Sequence, residues 1–110
     1  MHRDVKPENI MLHGNTVKLG DFSLARRVQE SGGGRLPNVN DPIYANASGK
    51  MTTYVATRWY RAPELLRADE YYSTPVDIFA LGCVAAELHL LTPLFQGKDD
   101  ADQLRLMSSP

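Results

Sequence analysis

Asp4, Lys6, Asn9 and Asp21 are the residues of this sequence with the clearest capacity for chemistry. A carboxylate such as Asp4, placed beside a hydroxyl, can orient it and accept its proton. Lys6, two residues on, supplies a compact point charge suited to a phosphoryl oxygen. Asn9 offers a neutral amide oxygen and Asp21 a carboxylate. Both are hard donors of the kind Mg²⁺ prefers, and Mg²⁺ commonly takes only one or two ligands from protein. A base, a cation and two hard oxygen donors suit the movement of a phosphoryl group, which asks for positioning and charge neutralisation more than for covalent work.

Local structure must bring these groups together. Ile10-Met11-Leu12 and Thr16-Val17-Lys18-Leu19 read as short strands joined by a turn at His13-Gly14-Asn15. Such a hairpin separates Asn9 from Asp21 in sequence and returns them to one place. Residues 30–50 have a different composition. Gly32-Gly33-Gly34, Pro37 to Pro42 and Asn46 to Gly49 are turn formers with few apolar anchors, so this stretch is expected to be a mobile surface loop. The triple glycine lacks the spacing and flanking strands of a phosphate-binding loop and reads as a linker.

The second half is helical in pattern. Leu65-Leu66 open a short helix expected to end near Ala68-Asp69. Ser73 or Thr74 can cap the next helix, with Pro75 in its first turn. Val76 to Leu91 is apolar on nearly all faces, which predicts a buried helix. Asp77 falls in its first turn, where the helix dipole favours an acid whatever else it does. Asp99 and Asp100 suit the start of a last helix striped by Leu104, Leu106 and Met107.

Composition narrows the classes of function. The chain has 110 residues, 43% of them hydrophobic and 23% charged, with a net charge of −1. No clustered basic excess points to nucleic acid or to an anionic membrane, and no run of about 18 apolar residues or signal-peptide pattern occurs. The single Cys83 excludes an internal disulfide and suits a reducing cytoplasmic or nuclear setting. It lies in the apolar helix and reads as a small buried hydrophobe. His2, His13 and His89 have no metal-ligand spacing, so no zinc site is expected.

The motifs in their order resemble a known family. His2-Arg3-Asp4-Val5-Lys6-Pro7-Glu8-Asn9, then Asp21-Phe22-Ser23, then Ala62-Pro63-Glu64 are similar to the catalytic loop, metal motif and activation-segment end of eukaryotic protein kinases. The resemblance implies an α+β, partial protein-kinase-like fold: a mostly α-helical C-lobe fragment with a short catalytic-loop β-hairpin, the N-lobe being absent. It divides residues 1–110 into catalytic loop (1–9), hairpin (10–20), metal motif and activation segment (21–64, with the insert at 30–50) and a helical part (65–110). It implies ATP and Mg²⁺ as cofactors, with Asp4 as catalytic base, Lys6 on phosphate, and Asn9 and Asp21 on metal. His2 and Arg3 support the loop. Asp77 would accept hydrogen bonds from the catalytic-loop backbone, and Glu64 would pair with an arginine from further C-terminal helices.

Within the kinases, Thr52-Thr53-Tyr54-Val55-Ala56-Thr57-Arg58-Trp59-Tyr60-Arg61-Ala62-Pro63-Glu64 resembles the mitogen-activated branch of the CMGC group, or its male-germ-cell-associated neighbour. Thr52 and Tyr54 are then phosphorylation sites for an upstream dual-specificity kinase, with a phosphate on Thr52 able to reach Arg3. Thr57 would bond Asp4 and Lys6. Thr57 and Arg58, Trp59, Tyr60 and Arg61 would receive the substrate, a protein with Ser/Thr-Pro sites. The implied activity is that of a proline-directed serine/threonine kinase.

Two departures qualify the resemblance. Ser23 stands where the family usually has glycine, and serine visits glycine's conformations at a cost. The chain also opens at the catalytic loop, so the Gly-rich loop and strand lysine that hold the nucleotide in a kinase are not expected within its 12.3 kDa. The alternative reading is a non-catalytic truncated kinase fragment acting as an interaction module. Taken alone, the chain is expected to expose apolar helix faces, to be marginally stable and aggregation-prone, and to bind ATP poorly.

Overall fold

A computed structural model of the chain describes residues 1–28, 35–37, 58–67, 69 and 71–109. A 3₁₀ turn at Pro7–Asn9 leads into β1 (Ile10–His13), which pairs antiparallel with β2 (Thr16–Leu19). The register sets Ile10 opposite Leu19 and His13 opposite Thr16. His13 therefore belongs to the strand rather than to the turn, and Gly14-Asn15 alone connect the pair. Gly14 turns with a φ of 61°, the left-handed value that tight hairpins assign to glycine. At the open end the N–H of Gly20 donates to the Asn9 carbonyl at 2.7 Å. That bond sets Asn9 beside the Gly20-Asp21 step.

The second sheet pairs β3 (Arg35–Pro37) with β4 (Tyr71–Ser73), placing Leu36 opposite Tyr72. Residues 35–37 lie inside the 30–50 stretch expected to be loop, so that expectation is corrected over these three residues. Their ladder partner is distant in the chain, and no local periodicity reports such pairing. The rest of the insert lies outside the described residues.

The helices follow the apolar pattern with shifted ends. α1 (Pro63–Leu66) begins with proline in its first turn, before the expected Leu65, and ends before Ala68. α2 (Pro75–Leu90) begins after Thr74, whose side chain makes no capping bond although its position is that of the cap. At the other end Leu91 adopts a left-handed φ of 63° while its N–H donates to the Glu87 carbonyl at 2.7 Å. α2 is the spine of two apolar clusters. Val76 packs with Ala62, Leu65 and Tyr72; Ala80, Cys83 and Val84 pack with Val5 and Tyr60; Phe79 touches both groups. Burial covers this side only, and the uncovered faces are those that the apolar pattern implies for the chain taken alone. Ile78 and Leu88, on other faces, are 69% and 75% exposed. A groove of about 430 Å³ runs between α2 and the hairpin, lined by Ile10, Leu12, Val17, Leu81 and Leu88. No described helix is long and apolar enough to cross a membrane.

α3 (Asp100–Ser108) is capped twice at its start. Asp99 accepts the Asp102 N–H at 2.7 Å, and Asp102 reaches back to accept the Lys98 N–H at 3.0 Å. This resembles a capping box extended by one residue. The Lys98 N–H, and after it Arg105, hold the Asp102 carboxyl below its usual range. Gln103 on this helix is fully buried. Its amide accepts the Gly97 N–H at 2.7 Å and donates to the carbonyls of Phe95 and Trp59 at 3.0 and 3.4 Å. Sequence reading assigns Gln103 no role, because nothing in a polar helical run marks one amide as the interior one.

Two outcomes follow from this packing. A Cβ on Gly97 would stand 2.6 Å from the Gln103 Cα and 2.7 Å from its N. Gly97→Ala is therefore expected to lower stability by about 1–3 kcal/mol in urea denaturation, and an unchanged midpoint would refute the close approach. Burial, then the Glu87 carboxylate, push the Cys83 thiol up to about 11 from its ordinary 9.0. Folding keeps the neutral thiol, so this contribution is complete below pH 9.0 and declines as pH rises through about 11. Cys83→Ala should flatten the alkaline fall in the urea midpoint; identical curves for the two proteins would rule the contribution out.

Candidate active site

The loop over residues 2–9 is held from α2. Asp77, in the first turn of that helix, accepts the backbone N–H of His2 on Oδ2 at 2.7 Å and that of Arg3 on Oδ1 at 2.8 Å. Successive N–H groups converge on one anion when the chain takes a left-handed step, and Arg3 takes it with a φ of 71°. The Arg3 side chain runs across the fold. Its Nε donates to the Leu24 carbonyl at 2.7 Å and its Nη1 to the Tyr72 hydroxyl at 2.9 Å.

His2 joins this loop to the 20–23 turn. The Asp4 N–H donates to Nδ1 at 3.1 Å, so that nitrogen carries no proton, and Nε2 donates to the Gly20 carbonyl at 2.8 Å. These partners set the tautomer. The ring also meets Phe22 edge-on, with centroids 5.1 Å apart. The motif histidine is thus a hydrogen-bonded joint as well as the packing residue that sequence suggests.

Asp4 and Lys6 are buried side by side, with the ammonium 3.6 Å from Asp4 Oδ1. Asn9, also buried, donates its Nδ2 to the Asp4 carbonyl at 2.8 Å and to Asp4 Oδ2 at 3.1 Å. The amide nitrogen is thereby committed, and its oxygen accepts no hydrogen bond among the described residues. Of the two Asp4 oxygens, Oδ2 is taken by Asn9 while Oδ1 is buried and accepts no hydrogen bond among the described residues. Arg3, Asp4, Lys6, Tyr60 and Arg61 line a cavity of about 20 Å³ beside it, close to the space one water molecule needs.

Asp21 is exposed, with a left-handed φ of 53°. Its Oδ1 accepts the Ser23 hydroxyl at 2.6 Å and the Ser23 N–H at 3.2 Å. The Ser23 hydroxyl, then its N–H, hold the Asp21 carboxyl below the usual range, and the charge of Lys6 acts in the same direction. Residues 1 and 26 bond each other's main chain, Met1 N to Arg26 O at 2.7 Å and Arg26 N to Met1 O at 3.0 Å. The 20–28 turn is thus strapped to the 2–9 loop at both ends.

Comparison with known proteins decides the family. The protein kinase domain family matches residues 1–109. The chain belongs to the protein kinase domain family. Among similar relatives, it is 46% identical over 115 residues to a serine/threonine-protein kinase of Candida glabrata, covering 100% of the chain and 17% of that relative. It is 50% identical over 105 residues to cyclin-dependent kinase-like 1 of Caenorhabditis elegans, covering 94% of the chain and 25% of the relative. Cyclin-dependent kinase F-3 of Oryza sativa subsp. japonica is 45% identical over 103 residues, 94% of the chain and 20% of its own length. The chain thus spans a quarter or less of these relatives. Two of the three are cyclin-dependent-like by name, a coarser agreement with the CMGC group than the mitogen-activated branch that the activation segment resembles. The partial α+β kinase fold agrees with the matched family.

In this kinase domain the end of the activation segment is an anchor. Arg58 is buried, its Nε donating to Asp100 at 2.7 Å and its Nη1 to the Lys98 carbonyl at 3.3 Å. Trp59 donates its indole N–H to the Gly97 carbonyl at 3.1 Å. The Tyr60 hydroxyl donates to Glu87 at 2.5 Å, and burial, then that carboxylate, push it above its ordinary range. Arg61 is buried beside the Asp4 cavity. The resemblance gives residues 58–61 a substrate-facing role, whereas the structure turns the Arg58 and Tyr60 side chains inward. A guanidinium with a carboxylate and a carbonyl at hand is better satisfied there than at an open wall. Glu64 stands in the first turn of α1 and is not without a partner inside the chain. Thr52, Tyr54 and Thr57 lie outside the described residues.

Removing the Asp77 carboxylate leaves two backbone donors without their acceptor. Hydrogen bonds to a charged group are worth about 1.5–3 kcal/mol each, so Asp77→Ala is expected to cost about 3 kcal/mol or more by equilibrium unfolding. The Arg3 amide should lose its hydrogen-exchange protection in the same variant. Retained protection at Arg3 would mean that Asp77 does not hold the loop.

Proposed function

We propose that the chain is the catalytic-loop portion of an ATP-dependent serine/threonine protein kinase that transfers the γ-phosphoryl group of Mg-ATP to a protein hydroxyl. The observation that carries this reading is the division of labour on Asp4. Asn9 occupies Oδ2, which leaves Oδ1, buried beside the Lys6 ammonium, as the oxygen able to take a proton. The donor set also fits a hard cation. Asn9 keeps its amide oxygen and Asp21 its Oδ2 without hydrogen-bond partners among the described residues. No three of His, Cys, Asp and Glu gather among those residues, but Mg²⁺ needs only one or two protein ligands. When bound, Mg²⁺ would neutralise nucleotide charge between Asn9 and Asp21.

Asp4 then orients a substrate serine or threonine hydroxyl and accepts its proton on Oδ1 as oxygen bonds to phosphorus and the bond to the β-phosphate oxygen breaks. Lys6 holds a phosphoryl oxygen and offsets its charge. The finer reading is a proline-directed kinase acting on Ser/Thr-Pro sites and switched by an upstream dual-specificity kinase at Thr52 and Tyr54. It rests on the resemblance of residues 52–64, and Thr57 would complete the Asp4–Lys6 pair. Substrate contacts by 58–61 would come from backbone and from the Trp59 edge, because Arg58 and Tyr60 are engaged inside. The names of the relatives favour the cyclin-dependent-like branch, for which a cyclin-type partner is the alternative activator. The lone thiol keeps a cytoplasmic or nuclear setting as part of the proposal. A non-catalytic interaction module is the second reading, favoured by the exposed Ile78 and Leu88 face.

The test is phosphate transfer from radiolabelled Mg-ATP to Ser-Pro and Thr-Pro peptides by the native-length polypeptide. Asp4→Asn is expected to reduce kcat by about 10²–10⁴-fold with little change in peptide KM. Transfer undiminished in Asp4→Asn would refute the assignment of the base. Absence of transfer by the unaltered polypeptide after phosphorylation at Thr52 and Tyr54 would favour the interaction module.

A further inference from the structure

Ser23 departs from the family at the third position of the metal motif, and the structure gives it a contact that glycine could not make. Its hydroxyl donates to Asp21 Oδ1 at 2.6 Å, in the short range of a charge-assisted O–H···O⁻ bond. Its N–H reaches the same oxygen at 3.2 Å. Both donors fall on Oδ1, and Oδ2 takes no hydrogen bond among the described residues. Asp21 is exposed, so its carboxylate is held mainly by its hydrogen bonds. The Ser23 hydroxyl is the shortest restraint on that carboxylate, and a glycine at this position would leave only the longer N–H bond.

We propose that Ser23 is a positioning residue for Asp21, clipping Oδ1 so that Oδ2 is the oxygen presented to a divalent cation. The inference rests on the reading that Asp21 holds the metal, and it adds which oxygen is offered and what orients it. Outer hydrogen bonds of this kind orient ligating carboxylates, and their loss commonly weakens metal binding by about 10–100-fold. On this chain the restraint falls at a backbone position that is itself left-handed. Ser23 thus replaces the freedom of a glycine with a fixed carboxylate. Its side chain is exposed, so substitution leaves the core untouched.

The test uses the ¹⁵N- and ¹³C-labelled native-length polypeptide with MnCl₂ as the probe. Paramagnetic broadening of the Gly20 and Asp21 amides reports cation binding, and three-bond couplings to the Asp21 carboxyl carbon report its χ1. The unaltered chain should show a single Asp21 rotamer. Ser23→Ala and Ser23→Gly should show averaged couplings and need about tenfold more Mn²⁺ for equal broadening. Ser23→Thr, which restores the hydroxyl, should recover both readouts. Equal or tighter Mn²⁺ binding by Ser23→Ala, with Asp21→Asn losing it, would overturn the positioning role and leave Asp21 as a metal ligand. Unchanged binding in Asp21→Asn would overturn both.

Discussion

A single carboxylate sets the geometry on which this structure depends. Asp77 accepts the N–H groups of His2 and Arg3, tying the 2–9 loop to the first turn of the longest described helix. Everything chemically interesting hangs from that junction. Asp4 follows directly, and the left-handed step at Arg3 aims the chain so that Asp4 and Lys6 turn inward together. His2 carries the constraint onward to Gly20 and Phe22, so the turn bearing Asp21 inherits its position from the same anchor. Conformations of this kind cost energy and persist where surrounding bonds over-determine them; here the carboxylate, the imidazole and the Arg3 side chain supply those bonds.

A second set of polar anchors holds residues 58–60. Arg58, Trp59 and Tyr60 each commit a donor to a different element: the first turn of α3, the Gly97 carbonyl and α2. Gln103 closes this network from beneath, answering three backbone groups with one amide. Buried polar groups satisfied in this way specify one arrangement, because any slip leaves a donor unpaired. The segment 58–60 is therefore held by three separate side-chain bonds close to Asp4.

The apolar half tells a complementary story. α2 is apolar on nearly every side, yet the described residues cover only the side that faces Val5, Tyr60, Leu65 and Tyr72. The exposed side, with Ile78 and Leu88, continues into the groove against the hairpin. An apolar surface of this kind is a demand for a partner, and the chain spans a quarter or less of the relatives it resembles.

The sequence by itself determined the family, because Asp4, Lys6, Asn9 and Asp21 are separated by short local structure whose pattern survives in one dimension. The hairpin and the start of α2 at Pro75 were legible for the same reason: turn residues, alternation and proline act over a few positions. What only the tertiary structure decided involves partners distant in the chain. These are the pairing of residues 35–37 with 71–73, the burial of Gln103, the inward turn of Arg58 and Tyr60, and the bonding of Asn9 to Asp4 Oδ2 rather than Oδ1. Each is a competition among hydrogen-bond partners brought together by folding. Residue type limits which groups can compete, and only their placement settles which one wins.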